Sequence, residues 1–365
     1  MAGMIEYNHA DTDSILQGVI YGYCVKYTRL AQLINTNFAG STATTIDIFV
    51  DIRDIYNRVL LFMRLKHMRP NNRFFIASGI INLCAHYREF FRSRYNTASR
   101  FWLINAESVS NHSMVYKDYV LSPLNDTDIC PNIIAENNMI LNAITPYLPD
   151  ITMINPNGFD IGVNVLDIVS KEQVFGNDNP RVILSKDRSA LQIADSIVNT
   201  FVLRPIKKAS EDESILCSLQ MAILEYVSRE FNKGYPTMPI PAGLCSVLMA
   251  LTKNSSRHIP SKLRIDTALR KLAPLSQPTQ TLGAQTQYPH VWDIKALLTQ
   301  LGVDSDPFEI ELRYKAIDIP IMYEAFKVHP ANTTYTSIVN LYAPEEVKKI
   351  NEQYFKGIPL DLEVL

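Results

Sequence analysis

Asp51 stands where an open α/β protein would do chemistry, closing the apolar, β-branched run from Thr45 to Ile52. Ligands of open α/β sheets gather outside the carboxyl ends of the strands, so a carboxylate there is placed to hold a divalent cation and activate water beside it. Aspartate is also a preferred helix N-cap, which leaves a capping reading open for Asp51 and for Asp160, just before the helical stretch that starts at Ile161. Asp187 follows the apolar run from Arg181 to Ser185 between Lys186 and Arg188, two cations that could neutralise it or simply be exposed. A second group is cationic. Arg257, Lys262, Arg264, Arg270 and Lys271 fall in one short stretch, and Lys117 follows Tyr116. Such residues suit contact with phosphates, and equally a solvated helix face.

The elements that must position these residues alternate. Apolar runs predict strands at Thr45 to Ile52, Arg100 to Ala106, Asp150 to Asn155, Arg181 to Ser185 and Thr200 to Ile206. Between them the apolar spacing predicts helices at Asp54 to Met63, Phe74 to Arg92, Asn132 to Ile144, Ile161 to Glu172 and Ser189 to Ile197. Strands and helices in this order imply an α/β fold, a parallel sheet with helices on both faces. An added N-terminal helix is expected over residues 10 to 38, ended by the stretch from Gly40 to Thr44. The charged run from Lys207 to Ser214 breaks the alternation. Beyond it helices are expected at Ile215 to Phe231, Pro241 to Thr252, Lys262 to Leu272 and Val291 to Leu301, with a nonperiodic, exposed loop from Pro274 to Pro289. The tail from Pro307 to Leu365 mixes short apolar runs with Pro and Asn turns and carries no assigned elements.

Composition narrows the classes. With 365 residues, 47% of them hydrophobic, the chain can bury a large core. Its 35 basic and 37 acidic residues nearly cancel, so no overall positive field draws it toward a polyanion. Cys24, Cys84, Cys130, Cys217 and Cys245 are widely spaced and lack zinc-site spacing, which favours buried reduced thiols over a disulfide framework. The N-terminal residues read as neither signal peptide nor anchor, and no apolar run reaches the roughly 18 residues of a membrane span. A cytoplasmic protein with no membrane partner is expected.

Five segments, in order, resemble motifs of the flap-endonuclease-like 5′-nucleases, a PIN-like family. FVDIRDIYNRV (Phe49 to Val59) resembles that family's opening strand, and Asp51 stands at its metal-holding aspartate. WLINAES with the later MVYKDY resembles a strand ending in aspartate and a DNA-facing Tyr-Lys pair; Asn105 replaces the aspartate, while Tyr116 and Lys117 keep the pair. NGFDIGVNVLDIV (Asn157 to Val169) lies where the family's helix opens Glu-Ala-Asp-Asp. Asp160 falls on the glutamate, and Gly162 and Val163 fall on the two aspartates. VILSKDRSALQIA (Val182 to Ala194) resembles a Ser-Gly-Asp turn with a downstream Gln-Leu. Ser185, Asp187 and Gln192 match, whereas Lys186 replaces the glycine and Ser189 a second aspartate. Leu248 to Leu272 resembles a helix-three-turn-helix. Ser256, Ile259, Pro260, Thr267 and Ala268 fit it, but Lys253, Asn254, Arg257, His258 and Ser261 depart, with acids lost at Asn254 and Arg257 and the phosphate-approaching glycines absent.

This resemblance implies a PIN-like α/β core at 45–206, a degenerate helix-three-turn-helix region at 207–275, an N-terminal helical extension at 1–44 and a C-terminal loop and mixed extension at 276–365. It further implies that the two-ion chemistry of the family is lost. Asp51, Asp160 and Asp187 are vestiges, and Asn105, Gly162, Val163, Ser189, Asn254 and Arg257 are degenerate positions, so no metal and no cofactor is expected. The expected function is that of an inactive 5′-nuclease-fold protein reused as an adaptor or scaffold with protein partners. Its 18 Tyr and 15 Phe suit such recognition. The alternatives are noncatalytic binding of branched or single-stranded DNA through Lys117, Arg257, Lys262, Arg264, Arg270 and Lys271, and residual one-metal nuclease activity. Family members abound in phages, and many Asn, Ile and Tyr with only 13 Gly suit an AT-rich phage genome, which would place the protein in a bacterial host's cytoplasm.

Overall fold

A computed structural model describes residues 45–66, 73–106, 108–121, 132–155, 158–171, 179–185, 187, 189–196, 200–204, 215–217, 242–252, 259–272, 281–282, 285–286, 292–326, 342–355 and 360. Its first half alternates as β1 (Thr45–Asp51), α1 (Ile52–Lys66), α2 (Phe75–Tyr95), β2 (Ala98–Ile104), α3 (Ser110–Val115), α4 (Ile133–Ile144), β3 (Ile151–Ile154), α5 (Ile161–Lys171), β4 (Arg181–Leu184), α6 (Ser189–Ser196) and β5 (Thr200–Arg204). Then come β6 (Ile215–Cys217), α7 (Ala242–Leu251), α8 (Ile265–Leu272), β7 (Thr281–Leu282), β8 (Gln285–Thr286), α9 (Ile294–Leu301), α10 (Pro307–Ile317), α11 (Ile319–Phe326) and α12 (Pro344–Tyr354).

Six strands form one sheet in the order β3-β2-β1-β4-β5-β6. The first five neighbours pair parallel and β6 runs antiparallel to β5. Alternate side chains serve opposite faces. Ile46, Ile48 and Val50 of β1 join Phe101 and Leu103 of β2 beneath α1, α2, α4 and α12. Phe49, Trp102, Ile104 and Ile183 face the other way, into a core completed by α5, α6 and helices α7 to α11. The α/β architecture with helices on both faces is therefore as the alternation of elements implied.

The chain moves outward from β1 through β2 to β3, then returns to place β4 on the other side of β1. Such a reversal opens a crevice between the carboxyl ends of the two diverging strands. Asp51 ends β1, level with Ile104 of β2, and Ser185 follows β4, whose Leu184 pairs with Val50. The crevice thus lies where the first and fourth motifs meet.

Several expectations need correction. Ile215 to Phe231 is not a helix throughout, because Ile215–Cys217 forms β6 on the free edge of β5; a three-residue apolar run has no period to tell strand from helix. Within the expected loop from Pro274 to Pro289, Thr281–Leu282 and Gln285–Thr286 pair as a short antiparallel ladder. The helix placed at Lys262 begins at Ile265. The unassigned tail contains α10, α11 and α12, and α3 follows β2 where no helix was expected. The expected helix over residues 10 to 38 lies outside the described residues. Among the described residues, no helix is long and apolar enough to cross a membrane.

Candidate functional site

Asp51, Asp160 and Asp187 each begin a helix. The first turn of a helix leaves backbone N–H groups without intrahelical partners, and a carboxylate there satisfies them and meets the positive end of the helix dipole. Asp51 Oδ1 accepts the Asp54 N–H of α1 at 3.2 Å. Asp160 Oδ1 accepts the N–H groups of Gly162 and Val163 at 3.1 and 3.3 Å, which caps α5. Asp187 Oδ1 accepts the Ser189 N–H at 3.0 Å at the start of α6.

Asp51 and Asp187 share the crevice, and Asp160 is engaged elsewhere. The Ser185 hydroxyl donates to Asp51 Oδ2 at 2.7 Å and accepts the Asp187 N–H at 3.0 Å, so it bridges the two acidic positions. Burial, and next the charges of Asp54 and Asp187, push the Asp51 carboxyl up to about 7, against the bonds from Ser185 and the Asp54 N–H that favour its anion. Near neutral pH this site is therefore only partly ionised. Asp160 is fully buried, and its Oδ2 accepts the Tyr119 hydroxyl at 2.9 Å. Tyr119 stacks on His112, whose ring centroid lies 4.7 Å away. His112 Nε2 accepts the Asp160 N–H at 3.2 Å, so Nδ1 carries the proton and donates to the Ala316 carbonyl at 2.7 Å.

The positions expected to have lost acids are partly filled with packing. Gly162 and Val163 are buried in the first turn of α5. A Cβ on Gly162 would stand 2.9 Å from Ile319 Cδ1 and 3.3 Å from the Ser189 carbonyl oxygen, so the bare glycine is what admits Ile319 between α5 and α6. Asn105 and Ser189 are buried, and among the described residues neither Asn105 Oδ1 nor Ser189 Oγ has a hydrogen-bond partner. Asn254 and Arg257 lie outside the described residues. The sequence reading passed over the elements that close this end of the sheet: His112, Tyr119, Asp318 and Ile319. Asp306-Pro307, an N-cap followed by proline in the first turn, was the available signal for α10.

The cationic candidates are dispersed in role. Lys117, Arg264 and Arg270 are exposed. Lys262 pairs with Glu309 at 2.8 Å, and this bond, with Arg313 nearby, holds the Glu309 carboxyl below its usual range. Lys271 donates to the Leu301 carbonyl at the end of α9. Arg313 is almost wholly buried, donating to the Tyr116 hydroxyl at 3.2 Å, the Pro260 carbonyl at 2.9 Å and Glu309. It ties the turn after α7 to α3 and α10.

A pair of hard divalent cations does not fit this donor set. Among the described residues, no three His, Cys, Asp or Glu side chains group closely enough to share an ion. Asp160 spends both oxygens on two backbone N–H groups and a phenol, and the neighbouring positions present a hydrogen and an isopropyl group. Oxygen ligands are what such ions require.

No family model matches the chain, and no curated protein matches it. Among solved structures, it is similar to one described as "Crystal Structure of T5 D15 Protein Co-crystallized with Metal Ions", at 11% identity and a TM-score of 0.43, covering 87% of this chain and 98% of that one. So loose an overlap at so low an identity assigns neither family nor activity.

Proposed function

We propose that the chain is a 5′-nuclease-like, PIN-like α/β protein that no longer hydrolyses phosphodiesters and serves as an adaptor or scaffold for other proteins. The single observation that carries this reading is the use of Asp160: a carboxylate at the strand-end face is committed to capping α5 and to Tyr119, while Ile319 fills the space beside it. A two-ion mechanism needs open carboxylate oxygens around the scissile phosphate. The near-neutral charge and the internal pairing of Lys262 and Lys271 favour protein over nucleic acid as partner. If the chain is phage-encoded, an adaptor of this kind would act in the host cytoplasm, in replication, virion assembly or the selection of proteins for a replication compartment.

The test has two arms. Purified protein should leave flap and 5′-overhang DNA uncut with magnesium or manganese, and capture from the native host should retain the same proteins after nuclease treatment. Metal-dependent cleavage, or loss of every captured protein on nuclease treatment, would overturn the reading.

A further inference from the structure

Among the described residues, Phe308 is the only exposed aromatic side chain, with 67% of its surface in solvent. Its place in the fold makes it a projecting anchor. α10 opens on Asp306, whose Oδ1 accepts the Phe308 N–H at 3.1 Å, and Pro307 fixes the backbone of the first helical position. Behind the ring, Ile310 and Tyr314 are buried, and Arg313 bonds Tyr116, the Pro260 carbonyl and Glu309. The backbone that presents Phe308 is therefore held on several sides. A ring presented this way gives up only its own side-chain freedom on binding, which is what makes aromatic anchors effective at protein interfaces.

The charges beside it carry a sign. Along α10 the cations are already matched: Lys262 and Arg313 meet Glu309, and Lys315 meets Glu311 at 2.6 Å. Lys271 is turned to the Leu301 carbonyl. Asp304 and Asp306, both exposed in the connection from α9 to α10, have no ion-pair partner among the described residues. Such a border repels phosphates and attracts lysine or arginine. We infer that Phe308 anchors a protein docking site, whose partner offers an apolar pocket bordered by Lys and Arg side chains that meet Asp304 and Asp306. Leu312, four residues on and half-buried, lies on the same side of α10 and widens the apolar contact. A single exposed apolar residue is ordinary on a protein surface; a braced backbone and unmatched acids beside it set this one apart. The inference rests on the adaptor reading and gives it a place and a partner chemistry.

The experiment puts benzoylphenylalanine, a photoreactive analogue of phenylalanine, at position 308 of the full chain, irradiates it in the native host, and identifies the crosslinked peptides after nuclease treatment. The same analogue at position 348, where Lys348 is exposed on α12 at the other face of the sheet, sets the background. Position 308 should crosslink to another protein, in an apolar stretch of its surface that carries Lys or Arg, at about ten times the background yield. Adding Asp304→Lys and Asp306→Asn, which keeps an N-cap, should lower that yield about tenfold, as placing like charges across an interface does. Phe308→Ser should lose the crosslinked protein from capture with an unchanged thermal midpoint, and Phe308→Trp should keep it. The site is overturned if the crosslinks land on the chain's own residues, on a second copy, on an acidic surface or on nucleic acid, if they do not exceed those at position 348, or if the charge change leaves the yield as it was. Should the site fall while Phe308→Ser still retains proteins after nuclease treatment, the adaptor reading stands without it; should the unaltered chain retain none, both fall.

Discussion

The Ser185 hydroxyl donates to the Asp51 carboxylate at 2.7 Å, joining the ends of β4 and β1 across 134 residues of sequence. That bond spans the crevice where the strand order reverses. It supports the ionised carboxylate, yet burial and the acidic neighbours outweigh it and leave Asp51 titrating at about 7.

A pH-dependent stability follows from this balance. The folded carboxyl binds its proton more tightly than an unfolded aspartate near 3.8, so stability present below that value is lost as pH rises from about 4 to about 7. Asp51→Asn has no charge to bury. It should raise the thermal midpoint at pH 8 and give little or no gain at pH 4, with a ceiling of about 4 kcal/mol from roughly 1.4 kcal/mol per pH unit. Equal effects at the two pH values would show that Asp51 does not titrate in this window.

Asp160 should act through its cap. Asp160→Ala removes the acceptor of two helix N–H groups and strands the buried Tyr119 hydroxyl, at a cost of about 2–4 kcal/mol in urea unfolding. Asp160→Asn keeps a good N-cap and should recover at least half of that. If alanine and asparagine are equally harmless, capping is not its role.

Gly162 and Ile319 should be energetically coupled. Gly162→Val meets Ile319 Cδ1 and the Ser189 carbonyl, and overpacking of this kind costs about 1–3 kcal/mol. Ile319→Ala makes a cavity by itself, but in the valine background it should cost less than in the wild type. A double-mutant cycle measures this, and strict additivity would mean that the two side chains do not compete for one space.

Much of this was legible and some of it could not be. The sheet was readable because Thr45–Asp51, Ala98–Ile104 and Arg181–Leu184 are short β-branched or aromatic runs between helical periods. α10 was hidden because its buried face carries Arg313 beside Ile310 and Tyr314, while Phe308 in its first turn is exposed, so polarity and burial disagree. Asp51 could be placed at a strand end and Asp160 at a helix start from sequence, with capping held open for both, whereas the capping role of Asp187 was not anticipated. Gly162 read as a missing acid; that it seats Ile319 is a contact between distant parts of the chain that no local pattern encodes. His112 carried no local signal, since its partners are the Ala316 carbonyl and the Asp160 amide.

Nucleic-acid affinity should be weak and insensitive to the basic stretch. Reversing the charges of Lys117, Arg264 and Arg270 together should change binding to single-stranded or branched DNA by less than about threefold at low salt, whereas each true phosphate contact would steepen the salt dependence by close to one unit. Fluorescence anisotropy across a salt series checks this, and a clear drop in slope for the reversed variant would revive DNA binding.

The most direct measurement is manganese binding, followed by electron paramagnetic resonance, on the wild type and on Asp51→Asn, Asp160→Asn and Asp187→Asn. Carboxylates that serve as helix caps predict no saturable site in the micromolar range and no difference among the four proteins. Two ions bound per chain, with the count falling in any of the three variants, would contradict the claim that these aspartates have been turned from metal ligands into caps.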